Sequence, residues 1–257
     1  MSHYSIQKFK KMIKNKRIAI VGPADYVNKE LDIDHGKKID NFDTVIRLNS
    51  MVNLPKKELE KYYGSKFDIL ISSFWPFNDY KDVINTESNK ARYLSIKSYK
   101  NIEKDLLIFD VSVKKFYYEY LLKDNKSFFN DKKNISFVDD NKIHQNYFSK
   151  KYKLKKSPTT GLMALLLCIE YEPKEIYISG ITFYKDNKHE PYYKDYGLFN
   201  QTIFNKIKKK QAENIKKNNF GHDVNHEFEL FKKLYKNHNI TIDNYLKNIC
   251  IYKIKNE

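Results

Sequence analysis

The chain has 257 residues, 41% of them hydrophobic and 15% aromatic, and a formal charge of +16. That apolar content is enough for one full-sized core, which excludes a disordered chain apart from the two ends, and no run approaches the roughly 18 apolar residues of a membrane span. Cys168 and Cys250 lie in apolar surroundings (LLLCIEY and LKNICIY), which excludes a disulfide framework and fits a reducing compartment.

Taken in chain order, residues 1–16 (MSHYSIQKFKKMIKNK) are a basic extension without the apolar region of a signal peptide. Short β-branched runs then read as buried strands at 17–22 (RIAIVG), 44–49 (TVIRLN), 68–73 (DILISS), 106–111 (LLIFDV), 134–138 (NISFV) and 175–180 (EIYISG). Helical patterns fall near 81–90, 113–122, 143–151, 161–171 and 223–236. This alternation predicts a single α/β domain over 1–257, Rossmann-like, with a mostly parallel sheet and helices on both faces. The lysine-dense stretch 206–217 reads as a loop or a solvated helix, and the region 186–220 as a lid.

The positive charge is permissive for anionic partners and diagnostic of none. It is nearly all lysine, with arginine only at 17, 47 and 92, whereas specific phosphate and base recognition favours the bidentate arginine fork. No nucleic-acid partner is expected. Peripheral contact of the lysines with an anionic membrane stays open, and the expected location is the cytoplasm, soluble or membrane-associated.

Several stretches carry candidate chemistry. Gly22 follows the first strand, where a backbone without Cβ admits a phosphate or base, although Pro23 and Ala24 rule out the G-x-G-x-x-G pattern. Arg47 and Asn49 point to one side of a strand, and an arginine inside an apolar strand must be paired. Thr159, Thr160 and Gly161 open an all-round apolar helix whose N-terminus is either an anion site or an ordinary Thr cap. In GHDVNHEFELF, His222 and His226 are spaced as a zinc pair would be, but Asp223 stands where the zinc hydrolases need Glu, and no third ligand is evident. At about 100° per residue, Glu227 falls within the apolar arc of that helix and needs partners there, whereas His226 falls outside it. With Asp223 as N-cap, His222 sits at the positive helix end, which favours a neutral ring.

These stretches resemble the sialyltransferases. RIAIVGPADYVNKELDIDHGKKIDNFDTVIRLN followed by YYGSKFDIL is similar to the large sialylmotif, and SPTTGLMALLLC through EIYISG to the small one. HEPYYKDYG resembles the third motif, and His222 with Glu227 the H-x4-E of the very small motif. EIYISGITFY and GHDVNHEFELF also resemble parts of the small bacterial sialyltransferases. The chain departs from the family pattern at Pro23, where Asn is usual, and in its cysteines, so neither the secretory disulfide nor the membrane anchor of the animal enzymes is implied.

The resemblance implies a GT-A-like fold variant and an inverting, metal-independent transfer from CMP-sialic acid to a hydroxyl of a glycoconjugate or polysaccharide. His222 would be the base, with Tyr192 and Tyr193 at the leaving phosphate. Gly22, Asn49, Thr159, Thr160, Gly161, Gly180 and Tyr184 would contact the donor nucleotide, and Arg47, His189 and Glu227 would support them. No cofactor or metal is expected, and the D-x-D at Asp32 and Asp34 reads as two solvated carboxylates. Alternatives are another CMP-activated acid such as CMP-Kdo, and a non-enzymatic nucleic-acid or anionic-surface binder.

Overall fold

A computed structural model describes residues 3–48, 57–72, 106–110, 135–138, 145–186, 188–189, 213 and 221–252. Its strands are β1 (Arg17–Val21), β2 (Thr44–Leu48), β3 (Ile69–Ser72), β4 (Leu106–Asp110), β5 (Ile135–Val138), β6 (Glu175–Ser179) and β7 (Ile240–Ile242). They form one sheet in the order β5-β4-β3-β2-β1-β6-β7, and every neighbouring pair is parallel. The six expected strands are all present; β7, only three residues long, carries too little pattern to be read from sequence.

The helices are α1 (His3–Ile13), α2 (Val27–Glu30), α3 (His35–Asp40), α4 (Glu60–Tyr63), α5 (Gln145–Lys151), α6 (Thr160–Glu170), α7 (Val224–Asn237) and α8 (Asn244–Tyr252). The helical patterns at 81–90 and 113–122, and most of the 186–220 stretch, lie outside the described residues. The basic N-terminal stretch is largely α1, which buries Phe9 and Ile13 in the core. Among the described residues, no helix is long and apolar enough to cross a membrane.

Strand alternation separates two cores, as the pleat requires. Ile18, Ile20, Ile46, Ile176 and Ile178 face one side with α6 and α7, while Ala19, Val21, Val45 and Tyr177 face the other with α2 and α3. α6 buries every residue from Thr160 to Cys168, so its all-round apolar sequence is that of a core helix. Each fully buried Leu in it contributes roughly 1.5–3 kcal/mol.

The chain builds β1 to β5 outward in one direction, then returns to place β6 on the opposite side of β1. Ligands of open parallel sheets bind beyond the carboxyl ends of the strands at such a reversal. Gly22 and Gly180, one residue past β1 and β6, sit there against each other. A Cβ on Gly22 would lie 2.2 Å from the Gly180 carbonyl oxygen, and one on Gly180 would lie 2.1 Å from that of Gly22. Gly180 also has φ +73°, a left-handed conformation that glycine adopts readily.

Candidate active site

α6 and α7 each lead into a parallel strand, so their N-termini stand at the carboxyl edge of the sheet. Thr159 caps α6, its hydroxyl accepting the Leu162 N–H at 3.4 Å. Gly161 lies close to Ile181, just beyond β6, and to Leu48 at the end of β2. Asp223 caps α7 by accepting the His226 N–H at 3.2 Å, which places His222 immediately before that helix.

Glu227 joins the two helix starts. It is 2% exposed, and its carboxylate accepts the Thr159 N–H at 3.1 and 3.2 Å and the Thr159 hydroxyl at 2.7 Å. Burial pushes its pKa up to about 7, with the bonds from Thr159 pulling the other way. Thr159 therefore spends both its donors on Glu227 rather than leaving them for a ligand.

His222 is oriented by one backbone carbonyl. Its Nδ1 lies 2.6 Å from the Ser157 carbonyl oxygen, which only accepts, so Nδ1 carries the proton and the neutral ring holds its lone pair on Nε2. Burial holds its pKa below the ordinary value, opposed by the Ser157 bond and reinforced by nearby Lys156. The Glu227 carboxylate is 3.9 Å from the same Nδ1, too far for a hydrogen bond. The result is a part-exposed imidazole that favours the neutral form, beside a buried carboxylate that holds the neighbouring helix start.

The profile of glycosyltransferase family 29 (sialyltransferase) matches residues 5–239. The chain belongs to that family. Comparison with curated proteins gives no match.

In this sialyltransferase the stretch resembling the large motif folds largely upon itself. Arg47 is fully buried on β2 and donates to the carbonyls of Tyr63 at 2.8 Å, Gly64 at 3.0 Å and Lys66 at 2.9 Å. Asp40 accepts the N–H groups of Ser65 at 2.9 Å and Lys66 at 2.8 Å. The Tyr63 hydroxyl then reaches the Ala24 carbonyl, at 2.8 Å, in the loop after β1. Arg47 thus supports that loop through Tyr63. The space a Cβ would need at Gly22 is filled by protein backbone, which gives its glycine a packing cause.

Beyond β6 the chain makes a strained turn. Phe183 and Tyr184 have φ +49° and +56°, and consecutive left-handed non-glycine residues persist only where the surroundings enforce them. Phe183 stacks on Phe231 of α7 at 4.4 Å, and Tyr184 rides on this turn, half-buried. His189 lies with Asp25 and Glu30, its Nε2 2.8 Å from Glu30 Oε1. Asn49, Tyr192 and Tyr193 lie outside the described residues.

Tyr26, Asp243 and Tyr245, which no sequence motif marks, are hydrogen-bonded at or behind this edge, whereas Asp40 binds Ser65 and Lys66 at the opposite end of the sheet. Asp34 of the D-x-D pairs with Lys37 at 2.8 Å, and among the described residues no group of three His, Cys, Asp or Glu could hold a metal ion. Part of the lysine excess collects at the other end of the sheet, where Lys8, Lys11, Lys16 and Lys66 line a cavity of about 800 Å³ before β1 and β2.

Proposed function

We propose that this sialyltransferase transfers sialic acid from CMP-sialic acid to a hydroxyl of a glycan by direct displacement with inversion, His222 acting as base. The acceptor oxygen forms a bond to the anomeric carbon as the bond from that carbon to the phosphate oxygen breaks. The hydroxyl proton passes to His222 Nε2, and CMP departs. The observation that carries the reading is the Nδ1 contact with the Ser157 carbonyl at 2.6 Å, which fixes the basic tautomer just before α7.

Thr160 and Gly161 stand in the first turn of α6, where the helix dipole favours the negative charge of the nucleotide phosphate. Gly180 and Tyr184 line the turn after β6, and the motif resemblance supports Asn49 as a nucleotide contact and Tyr192 and Tyr193 as donors to the departing phosphate. Thr159 acts through its cap and through Glu227. The donor's own phosphate leaving group supplies the activation, so the reaction needs no metal.

A thermal-shift panel of CMP, UMP, GDP and AMP, followed by a transfer assay with CMP-sialic acid and glycan acceptors, tests the donor. CMP should stabilise the protein and the others should not; stabilisation by UMP or GDP alone would refute the donor class. Activity should survive EDTA, and loss with EDTA restored by manganese would refute the metal-free route.

A further inference from the structure

The family match ends at residue 239, yet the chain beyond it reaches the carboxyl edge of the sheet. β7 adds the last strand beside β6, and the two residues Asp243 and Tyr245 follow directly from it. Asp243 is 3% exposed; one carboxylate oxygen caps α8 by accepting the Leu246 N–H at 2.8 Å. The other accepts the Tyr26 hydroxyl at 2.7 Å. That same hydroxyl oxygen accepts the Gly180 N–H at 2.7 Å. Asp243 thereby accepts the Tyr26 O–H, which turns the lone pairs of the hydroxyl oxygen toward the Gly180 N–H.

Tyr245 makes a second connection. Its ring stacks on Tyr26 at 4.4 Å and stands edge-on to His189 at 5.1 Å. Its hydroxyl donates to Asp186 at 3.0 Å, two residues past the strained Phe183-Tyr184 turn. The His189 ring nitrogens lie 2.8 Å from Glu30 and 3.7 Å from Asp25, and its side chain is 6% exposed. One C-terminal corner therefore grips both Gly180, where the strand order reverses, and His189.

We propose that Asp243 and Tyr245 are positioning residues for donor binding: Asp243 through Tyr26 fixes the Gly180 turn, and Tyr245 fixes His189 and the turn at Tyr184. The inference rests on the reading that this edge takes a CMP-sugar.

The test is donor and acceptor kinetics of the full chain carrying Tyr26→Phe, Asp243→Asn, Tyr245→Phe or Tyr245→Leu, with melting temperatures alongside. Tyr26→Phe removes the acceptor of the Gly180 N–H and should raise KM for CMP-sialic acid roughly tenfold, the loss expected for one well-made buried hydrogen bond. The acceptor KM should stay near wild type. Tyr245→Phe keeps the stacking and should fall between wild type and Tyr245→Leu, a graded rescue that a purely structural role would not produce in donor KM alone. If Tyr26→Phe or Asp243→Asn fails to fold, the half-buried Tyr245 pair carries the test.

Donor KM within twofold of wild type in Tyr245→Leu, or equal rises in donor and acceptor KM, overturns the inference while the functional reading stands. A wild-type chain that neither binds CMP nor turns over CMP-sialic acid overturns the functional reading, and the inference falls with it.

Discussion

Thr159 gives both its backbone N–H and its hydroxyl to Glu227, 68 residues away, at 2.7–3.2 Å. Two helices that start at the same edge of the sheet are thereby locked together beside the candidate base. Replacing Glu227 with Ala leaves two buried donors without a partner, and we expect a loss of roughly 2 kcal/mol of stability. Glu227→Gln keeps one acceptor and should cost less. Chemical denaturation of both variants checks this, and an alanine variant as stable as wild type would show that the bond contributes nothing.

The same carboxyl makes stability depend on pH. Folding raises its pKa from 4.5 to about 7, so the folded state binds the proton more tightly than the unfolded state. The stability this adds is fully present below pH 4.5 and is lost as pH rises through about 7. At about 1.36 kcal/mol for each pH unit between 4.5 and about 7, the total is on the order of 3 kcal/mol. Subtracting the pH–stability curve of Glu227→Gln from that of wild type should isolate this decline. A flat difference between pH 4.5 and 7 would show that burial does not perturb the group.

Much of the fold was legible because parallel strands, buried on both faces, read as short β-branched runs. β2 is such a strand, with all five residues buried. The partner requirement of Glu227 was also legible, since the period of α7 places a carboxylate inside an apolar arc. Its identity was not, because Thr159 is brought to it by tertiary packing alone. Arg47 could be seen to need partners, but they are backbone carbonyls, which carry no sequence signal. Tyr26 and Tyr245 were hidden among 21 tyrosines, and only the geometry separates them from packing residues.

Arg47 offers a structural prediction. Methionine in its place would fill similar volume and remove the guanidinium donor from the carbonyls of Tyr63, Gly64 and Lys66, the first two of those bonds being buried. At roughly 1–3 kcal/mol for each buried group that loses its donor, the variant should lose about 2 kcal/mol or more. Arg47→Lys lacks the fork and should recover only part of it. Melting temperatures decide the point, and wild-type stability in Arg47→Met would mean water replaces the guanidinium without loss.

The rate should report His222 through pH. Burial holds its pKa below the ordinary histidine value, so the base is neutral at pH 7 and is lost only in acid. The transfer rate, kcat/KM, should fall below an apparent pKa lower than 6.5, and the same acid limb should persist in Glu227→Gln. An acid limb that vanishes in that variant would reassign the titrating group to Glu227.

The central claim is that His222 takes the proton of the acceptor hydroxyl. The direct measurement is sialyl transfer from CMP-sialic acid by His222→Ala, with CMP stabilisation of the same variant as a control for folding. A general base contributes typically about 10²–10⁴-fold, so transfer should fall by at least roughly a hundredfold while CMP still stabilises the protein. Transfer at the wild-type rate would contradict the account.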